Sequence, residues 1–201
     1  QGSTETYYDL QAAINKAVES TSKMVVFAGT NKDEVLFPRA DGNPYEIPSG
    51  VTLLIPHDDA YKTMIPTNIE PQKNYINGAT AATNYSKLIF DEGTKLSIQS
   101  GGKFYVSATL ATKQPENGRV CNYAWVEMRD GSQIVVNNAA YLYAWGYITA
   151  SHKIGNGSYT DQFGEFNEDI TYETIGIDEN YILDAKSGIN FQIKFKYDIE
   201  I

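Results

Sequence analysis

Aromatic residues at every second position make the segment YLYAWGYI, residues 141–148, the strongest candidate for chemistry. In a β-strand, successive side chains point to opposite faces and advance about 3.3 Å per residue, so four rings would form one row roughly 20 Å long. Such a row offers rigid apolar area with polar tips, which suits sugar rings or a protein partner. The four residues of this row are Tyr141, Tyr143, Trp145 and Tyr147.

A second alternating segment could cover that row. Apolar and polar residues alternate from Ile189 to Ile201, which predicts a long half-buried strand. If this strand lies over the aromatic row, the rings form a second core. If it packs elsewhere, the row is an exposed patch large enough to indicate an interface. The sequence leaves both arrangements open.

Titratable residues give weaker candidates for catalysis or metal binding. Glu92 and Asp130 flank equivalent turns and could form a stacked acid pair. The HDD segment at 57–59 and the acidic stretch 161–169 match no metal-binding pattern, and the single cysteine, Cys121, has no histidine near it in sequence. Phosphate-loop, dinucleotide and zinc motifs are absent from the sequence. We therefore predict no catalytic residues, no metal site and no cofactor.

Composition narrows the class of partner. The chain has 201 residues with 16 basic and 25 acidic side chains, a formal net charge of −9. Such an acidic chain disfavours nucleic acid or an anionic membrane surface as a partner. No run of 18 apolar residues is present, so the sequence predicts no membrane insertion. Isoleucine and valine number 29 against 9 leucines, a bias that favours strands.

The elements that must position the aromatic row begin with a helix. Asp9 is a suitable N-cap, and the apolar residues after it recur at three- and four-residue spacing, which predicts an amphipathic helix ending near residues 20–22. These apolar residues are Leu10, Ala13, Ile14, Ala17 and Val18. The apolar run at 24–28 predicts a buried strand.

An internal repeat follows the helix. Segments 88–112 and 126–150 align without gaps at an offset of 38 residues, which brings Tyr105 beside Tyr143 and adds it to the candidate ligand-binding residues. A third copy at 47–56 matches at Gly50, Leu53 and Ile55. Glycine turns that separate short alternating strands are typical of a solenoid, in which stacked rungs bury their apolar faces together. An antiparallel sandwich is the alternative.

The order of DLQAAINKAVES, MVVFAG and EIPSGVTLLIP resembles the start of right-handed parallel β-helix domains of the pectin-lyase-like class. The stretch EGTKLSIQSGGKFYVSATL resembles rungs of secreted or wall-attached proteins of Gram-positive bacteria. This resemblance, over roughly residues 7–150, implies a mainly β, right-handed parallel β-helix (a solenoid) with an N-terminal capping helix. The alternating C-terminal segment predicts a β-rich C-terminal cap. We expect a tag remnant at 1–3, the β-helix domain at 4–150 with a long loop at 57–87, and the cap or lateral strand region at 151–201.

The resemblance and the missing catalytic motifs predict a non-catalytic binding module, an adhesin-type domain of a bacterial surface or secreted protein. Its expected partner is a host protein, such as immunoglobulin or mucin, or a glycan, and its expected location is extracellular or associated with the cell wall. Two alternatives stay open. One is a polysaccharide lyase or hydrolase that uses Glu92 and Asp130, and the other is a passive stalk. The sequence determines neither the ligand nor the oligomeric state.

Overall fold

The structure, a computed structural model, describes residues 5–27, 33–56, 85–107, 123–144, 147–153, 168–171, 180–185 and 191–194. Within these ranges the chain is mainly β with one helix, as the sequence predicts. Helix α1 spans Leu10–Glu19. The strands are β1 Met24–Val26, β2 Asp33–Leu36, β3 Tyr45–Ile47, β4 Thr52–Ile55, β5 Tyr85–Phe90, β6 Lys95–Ile98, β7 Lys103–Val106, β8 Tyr123–Arg129, β9 Gln133–Val136, β10 Tyr141–Ala144, β11 Tyr147–Ser151, β12 Glu168–Thr171, β13 Tyr181–Asp184 and β14 Phe191–Lys194.

The strands form three sheets, which the chain enters in a repeating order. Sheet A has the order β1-β4-β7-β10, sheet B the order β12-β14-β11-β8-β5-β2, and sheet C the order β13-β9-β6-β3. From β2 to β11 the chain passes from sheet B to sheet C to sheet A and back to sheet B. Nine of the eleven pairings between described strands are parallel. For this part of the chain, the antiparallel sandwich considered from the sequence is therefore wrong.

The 38-residue offset of the sequence repeat is also the register of the strands. In sheet C, Leu96 lies opposite Ile134, and in sheet A, Phe104 lies opposite Leu142. The third copy pairs in sheet A, where Leu53 lies opposite Phe104, so it corresponds to the second strand of the repeating unit. Because equivalent residues stack in register, their apolar side chains form continuous columns.

These columns meet in one hydrophobic core. The core takes Phe90 from sheet B, Ile98 from sheet C and Phe104 from sheet A, all without exposed surface. Ile14 and Ala17 of helix α1 belong to the same core. Each sheet buries one face here because alternate side chains of a strand point the same way.

Helix α1 packs against β1 and β3, the N-terminal edge strands of sheets A and C. It begins where the Asp9 carboxylate accepts a hydrogen bond of 2.6 Å from the backbone N–H of Ala12. The Gln11 amide then bonds to the backbone of Glu46 in β3, accepting from its N–H at 2.8 Å and donating to its carbonyl at 3.4 Å. The helix thereby satisfies strand-edge groups that would otherwise bond to another strand.

Two columns of turns separate the strands. Gly93 and Gly131 occupy one column with φ of 76° and 72°. Gly50, Gly101 and Ala139 occupy the other, with φ of 78°, 77° and 57°. The turns of this second column stack directly, since the Gly101 N–H donates to the Ala139 carbonyl at 2.8 Å. Left-handed backbone is strained for side-chain-bearing residues, which explains the glycines.

The C-terminal strands extend two of the three sheets. β13 pairs antiparallel with β9 in sheet C, and β14 pairs antiparallel with β11 in sheet B, where β12 lies beyond it. β9 and β11 are the last strands of the repeating circuit, so these additions lie at the opposite end from helix α1. Among the described residues, no helix is long and apolar enough to cross a membrane.

Candidate functional site

The face of sheet A that points away from the main core carries the candidate site. Two rows of in-register side chains cross its four strands. The first row is Val26, Leu54, Tyr105 and Tyr143, and the second is Met24, Thr52, Lys103 and Tyr141. Neighbouring strands lie about 4.8 Å apart, so each row is about 14 Å long. We call these eight residues the tyrosine face.

Three rings of the tyrosine face pack against one another, and their exposure increases from the first ring to the last. Tyr105 is buried, with 4% of its surface exposed, and packs with Leu54 in a cluster separate from the main core. Tyr143 meets it edge to face, with ring centroids 5.8 Å apart and planes at 88°. Tyr141 stacks on Tyr143 at 6.0 Å with planes at 4°, and 46% of its surface is exposed. Both geometries are favourable for aromatic pairs, so buried Tyr105 and half-buried Tyr143 hold the exposed ring of Tyr141 in position.

The electrostatics of this face combine neutral phenols with one cation. Burial raises the pKa of the Tyr143 phenol above its ordinary value, and the neighbouring Tyr141 adds to the shift. Tyr143 therefore stays protonated and able to hydrogen-bond at neutral pH. The Lys103 ammonium lies 5.8 Å from the Tyr141 ring centroid, within cation–π range. A ligand would meet an aromatic surface beside a positive charge.

The straight aromatic row predicted along residues 141–148 is wrong. β10 ends at Ala144 in sheet A, and β11 begins at Tyr147 in sheet B, so the two ends of the segment belong to different sheets. Tyr141 and Tyr143 share one strand as predicted, and Tyr105 joins them from β7. Trp145 lies outside the described residues, and of Tyr147 only the backbone is described. Alternation along a strand predicts a face, but it cannot detect the point where the chain changes sheet.

The C-terminal strand does not cover the tyrosine face within its described part, β14. This strand lies beside β11 in sheet B, with Ile193 opposite Ile148. It extends that sheet edge to edge, whereas the tyrosine face belongs to sheet A. The second-core alternative is therefore wrong for residues 191–194.

The outer face of sheet B carries a buried charge network that the sequence analysis missed. The Lys87 ammonium contacts the Glu127 carboxylate at 2.6 Å, with the two side chains only 9% and 4% exposed. A second carboxylate, on Asp33, lies 3.8 Å from the same ammonium. Lys87 also lies over the Trp125 ring, 4.3 Å from its centroid, and the indole N–H donates to the Thr149 hydroxyl at 2.9 Å. The Lys87 ammonium is therefore held both by carboxylates and by an aromatic ring.

Arg129, the last residue of β8, extends this network to Asp91. Arg129 Nη1 lies 3.0 Å from Asp91 Oδ1, and Arg129 Nε lies 3.5 Å from Glu127 Oε1. The sequence contained a signal for the first pair, since Asp91 and Arg129 are 38 residues apart and carry opposite charges. Lys87 and Trp125 have the same spacing, one residue before the aligned segments begin. Extending the repeat by one residue would have identified their contact.

The two acids considered for catalysis both have basic partners. Glu92 bonds to the Lys153 ammonium at 3.2 Å. Asp130 accepts a hydrogen bond from the Lys153 backbone N–H at 3.0 Å and shares one of 2.7 Å with His152 Nδ1. Burial alone would raise the pKa of Asp130, but the bonds from His152 and Lys153 outweigh it and hold that pKa below its ordinary value. Asp130 is thus ionised at neutral pH, which does not suit a general acid.

Several features singled out in the sequence fall outside the described residues. The HDD segment at 57–59 and Cys121 lie wholly outside them, and so does nearly all of the loop expected at 57–87. The acidic stretch 161–169 is described only as the backbone of its last two residues. Among the described side chains, no group of three or more His, Cys, Asp or Glu residues is arranged to hold a metal ion.

Comparisons of this chain with protein-family models, curated proteins and solved structures found no match. Function must therefore be inferred from the chemistry of the site itself.

Proposed function

We propose that this chain is a non-catalytic binding module, an adhesin-type domain of a bacterial surface or secreted protein, whose ligand binds at the tyrosine face. The observation that carries the proposal is the half-exposed ring of Tyr141, held by two more deeply buried rings. Its partner is a host protein or a glycan. We propose an extracellular or wall-associated location for this module.

Preorganisation is the physical reason to favour binding at this position. A flexible side chain loses rotamer entropy when it is immobilised by a ligand, about 0.5–1.5 kcal/mol for a rotamer-rich residue. Tyr141 is already oriented by its stacking on Tyr143, so little of this cost remains. A rigid aromatic side chain with a polar tip also combines apolar contact with hydrogen bonding, the combination that is common in binding surfaces.

The lyase or hydrolase alternative has less support. Its two acids, Glu92 and Asp130, are engaged by Lys153 and His152 in the ground state. An acid–base pair would need one carboxyl group with a raised pKa and one that remains ionised. The pKa of Asp130 is instead lowered, so Asp130 does not suit the role of proton donor.

For the finer fold, we propose a right-handed parallel β-helix. Support comes from the repeated order of sheets B, C and A and from parallel pairing at a constant offset. Parallel strands joined by a crossover connection are right-handed in about 98% of cases, which favours that hand. The packing of helix α1 on the edge strands β1 and β3 fits an N-terminal cap.

A capture experiment tests the binding proposal. The full chain is immobilised and exposed to serum and mucosal extracts and to a glycan array, in parallel with Tyr141→Ala and Tyr141→Phe. Tyr8→Ala is the matched control, because Tyr8 is fully exposed and precedes helix α1, which packs on β1, the edge of sheet A opposite to β10. Circular dichroism and urea unfolding establish that each variant is folded.

The proposal predicts a saturable ligand that the wild type and Tyr8→Ala retain and Tyr141→Ala loses. Retention by Tyr141→Phe would assign the contact to the ring rather than to the hydroxyl. Equal capture by Tyr141→Ala and wild type would remove the ligand from the tyrosine face and contradict the proposal. No saturable ligand in any format would favour the stalk alternative.

A further inference from the structure

We infer that the tyrosine face binds an anionic sugar, with the sugar ring stacked on Tyr141 and its acidic group paired with the Lys103 ammonium. This inference rests on the proposed binding function and narrows its ligand to one chemical class. It starts from the charge of Lys103, from the small exposed area of the face, and from the register that joins Lys103 to Tyr141.

Three lysines with described side chains form no ion pair with the described residues, and of these only Lys103 lies near an aromatic ring; the other two are Lys23 and Lys95. Ion pairs with carboxylates are formed by Lys16, Lys87 and Lys153. Lys103 forms no ion pair with the described residues and instead lies near the Tyr141 ring. In a chain with a net charge of −9, a cation left without a carboxylate partner at an aromatic surface is available to a ligand's negative group.

The strand register places the Lys103 ammonium beside the ring on which an acidic sugar would stack. Lys103 lies directly opposite Tyr141 on the neighbouring strand. Its ammonium is 5.8 Å from the centroid of the tyrosine ring. An acidic substituent of a sugar stacked on that ring therefore falls within reach of the ammonium, where a charge-assisted hydrogen bond can form. The aromatic ring supplies the apolar contact and the lysine supplies the charge selectivity.

The exposed area of the face argues for a sugar rather than a protein. A stable protein interface buries about 800 Å² on each partner, contributed by about 20–30 residues. On the tyrosine face, Leu54 and Tyr105 are buried, and Tyr141 is the one large apolar side chain of the face that is well exposed among the described residues. One exposed ring beside one cation fits a single acidic sugar residue better than it fits a protein epitope.

Isothermal titration with matched saccharides tests this inference. The probes are 3′-sialyllactose, lactose, a galacturonate trisaccharide and a sulfated lactose, so that carboxylate, sulfate and neutral ligands are compared. The full chain is titrated as wild type, Lys103→Gln, Lys103→Arg and Tyr141→Ala. Lys95→Gln is the control, because Lys95 is an exposed lysine in sheet C.

We expect at least one acidic saccharide to bind about tenfold more tightly than lactose, a ratio that corresponds to about 1.4 kcal/mol. Lys103→Gln should remove this preference, whereas Lys103→Arg and Lys95→Gln should keep it. Tyr141→Ala should weaken all saccharides. The comparison of sialyl, galacturonate and sulfate probes then identifies which acidic group is recognised.

Two results would overturn the inference, and they differ in what they mean for the proposed function. If a neutral sugar or a captured protein requires Tyr141 but is unaffected by Lys103→Gln, the anionic sugar is excluded and the binding face remains. If no acidic probe binds, the inference also fails, and the capture experiment with Tyr141→Ala decides the proposed function separately.

Discussion

Replacing Ala139 by glycine should stabilise this protein. Ala139 has a φ of 57°, in the left-handed region, while Gly50 and Gly101 fill the equivalent turns of the same column. The left-handed conformation costs a side-chain-bearing residue about 1–2 kcal/mol. Glycine in turn adds about 0.4–1 kcal/mol of unfolded-state entropy. The difference predicts a gain of about 0.5–1 kcal/mol in the free energy of unfolding for Ala139→Gly.

The reverse substitution, Gly101→Ala, should destabilise the protein. It introduces the same backbone strain at a φ of 77°. It also places a Cβ atom 2.5 Å from the Ser49 hydroxyl oxygen and 3.4 Å from its Cβ, so Ser49 must move. We expect a loss of about 1–3 kcal/mol, within the usual range for strain at a special φ.

Urea unfolding followed by circular dichroism measures both effects. With a slope of about 3 kcal/mol per molar urea, a gain of about 1 kcal/mol raises the midpoint by about 0.3 M. Ala140→Gly is the matched control, because it makes the same chemical change next to Ala139 at a residue without a positive φ. It should destabilise through unfolded-state entropy and lost packing. If Ala139→Gly lowers the midpoint as Ala140→Gly does, the left-handed conformation assigned to this turn is refuted.

Three further predictions address the cap, the charge network and pH. Gln11→Ala removes two hydrogen bonds to the backbone of β3 and should lower the free energy of unfolding in urea by about 1–2 kcal/mol. The control Asn15→Ala, on the exposed helix surface, should lower it little. Glu127→Gln leaves the Lys87 ammonium buried without its closest carboxylate and should lower the free energy of unfolding by about 3–5 kcal/mol. The double variant Lys87→Met/Glu127→Leu removes both charges and should recover much of this loss. The pKa of Asp130 is lower in the folded state than in the unfolded state, so its ionised carboxylate stabilises the fold. This stabilisation is complete above the unfolded-state pKa near 3.8 and is lost as the pH falls through the folded-state pKa. The wild type should therefore melt at a higher temperature than Asp130→Asn at neutral pH, and the difference should shrink below about pH 4; a constant difference would contradict the assignment.

The buried network of sheet B shows that this scaffold has two distinct outer faces. The tyrosine face of sheet A presents a half-exposed ring, Tyr141, and a cation without a carboxylate partner among the described residues, Lys103. On sheet B, the charges of Lys87 and Glu127 are paired and buried, and their positions are fixed by a neighbouring aromatic ring. The exposed ring and cation of sheet A suit ligand binding, whereas the buried ion pair of sheet B suits a structural role.

Local sequence patterns determined much of this fold. The three- and four-residue spacing after Asp9 predicted helix α1, and the residues Ile14 and Ala17 on that face are buried. The 38-residue repeat predicted the register, including the contact of Tyr105 with Tyr143. Helix amphipathicity, strand alternation and turn glycines are predictable because they depend on residues close together in the chain. The register is predictable because similar repeating segments stack on one another.

The tertiary structure decided where each face ends and which of its side chains remain exposed. No local pattern indicated that the chain changes sheet between Ala144 and Tyr147, so the sequence could not divide the aromatic row. Nor could it determine that Tyr141 remains half-exposed while Tyr105 is buried, since burial depends on what packs around each ring. A period of two specifies which side chains share a face, but the contacts and solvent exposure of that face depend on strands distant in sequence, and only folding brings these together.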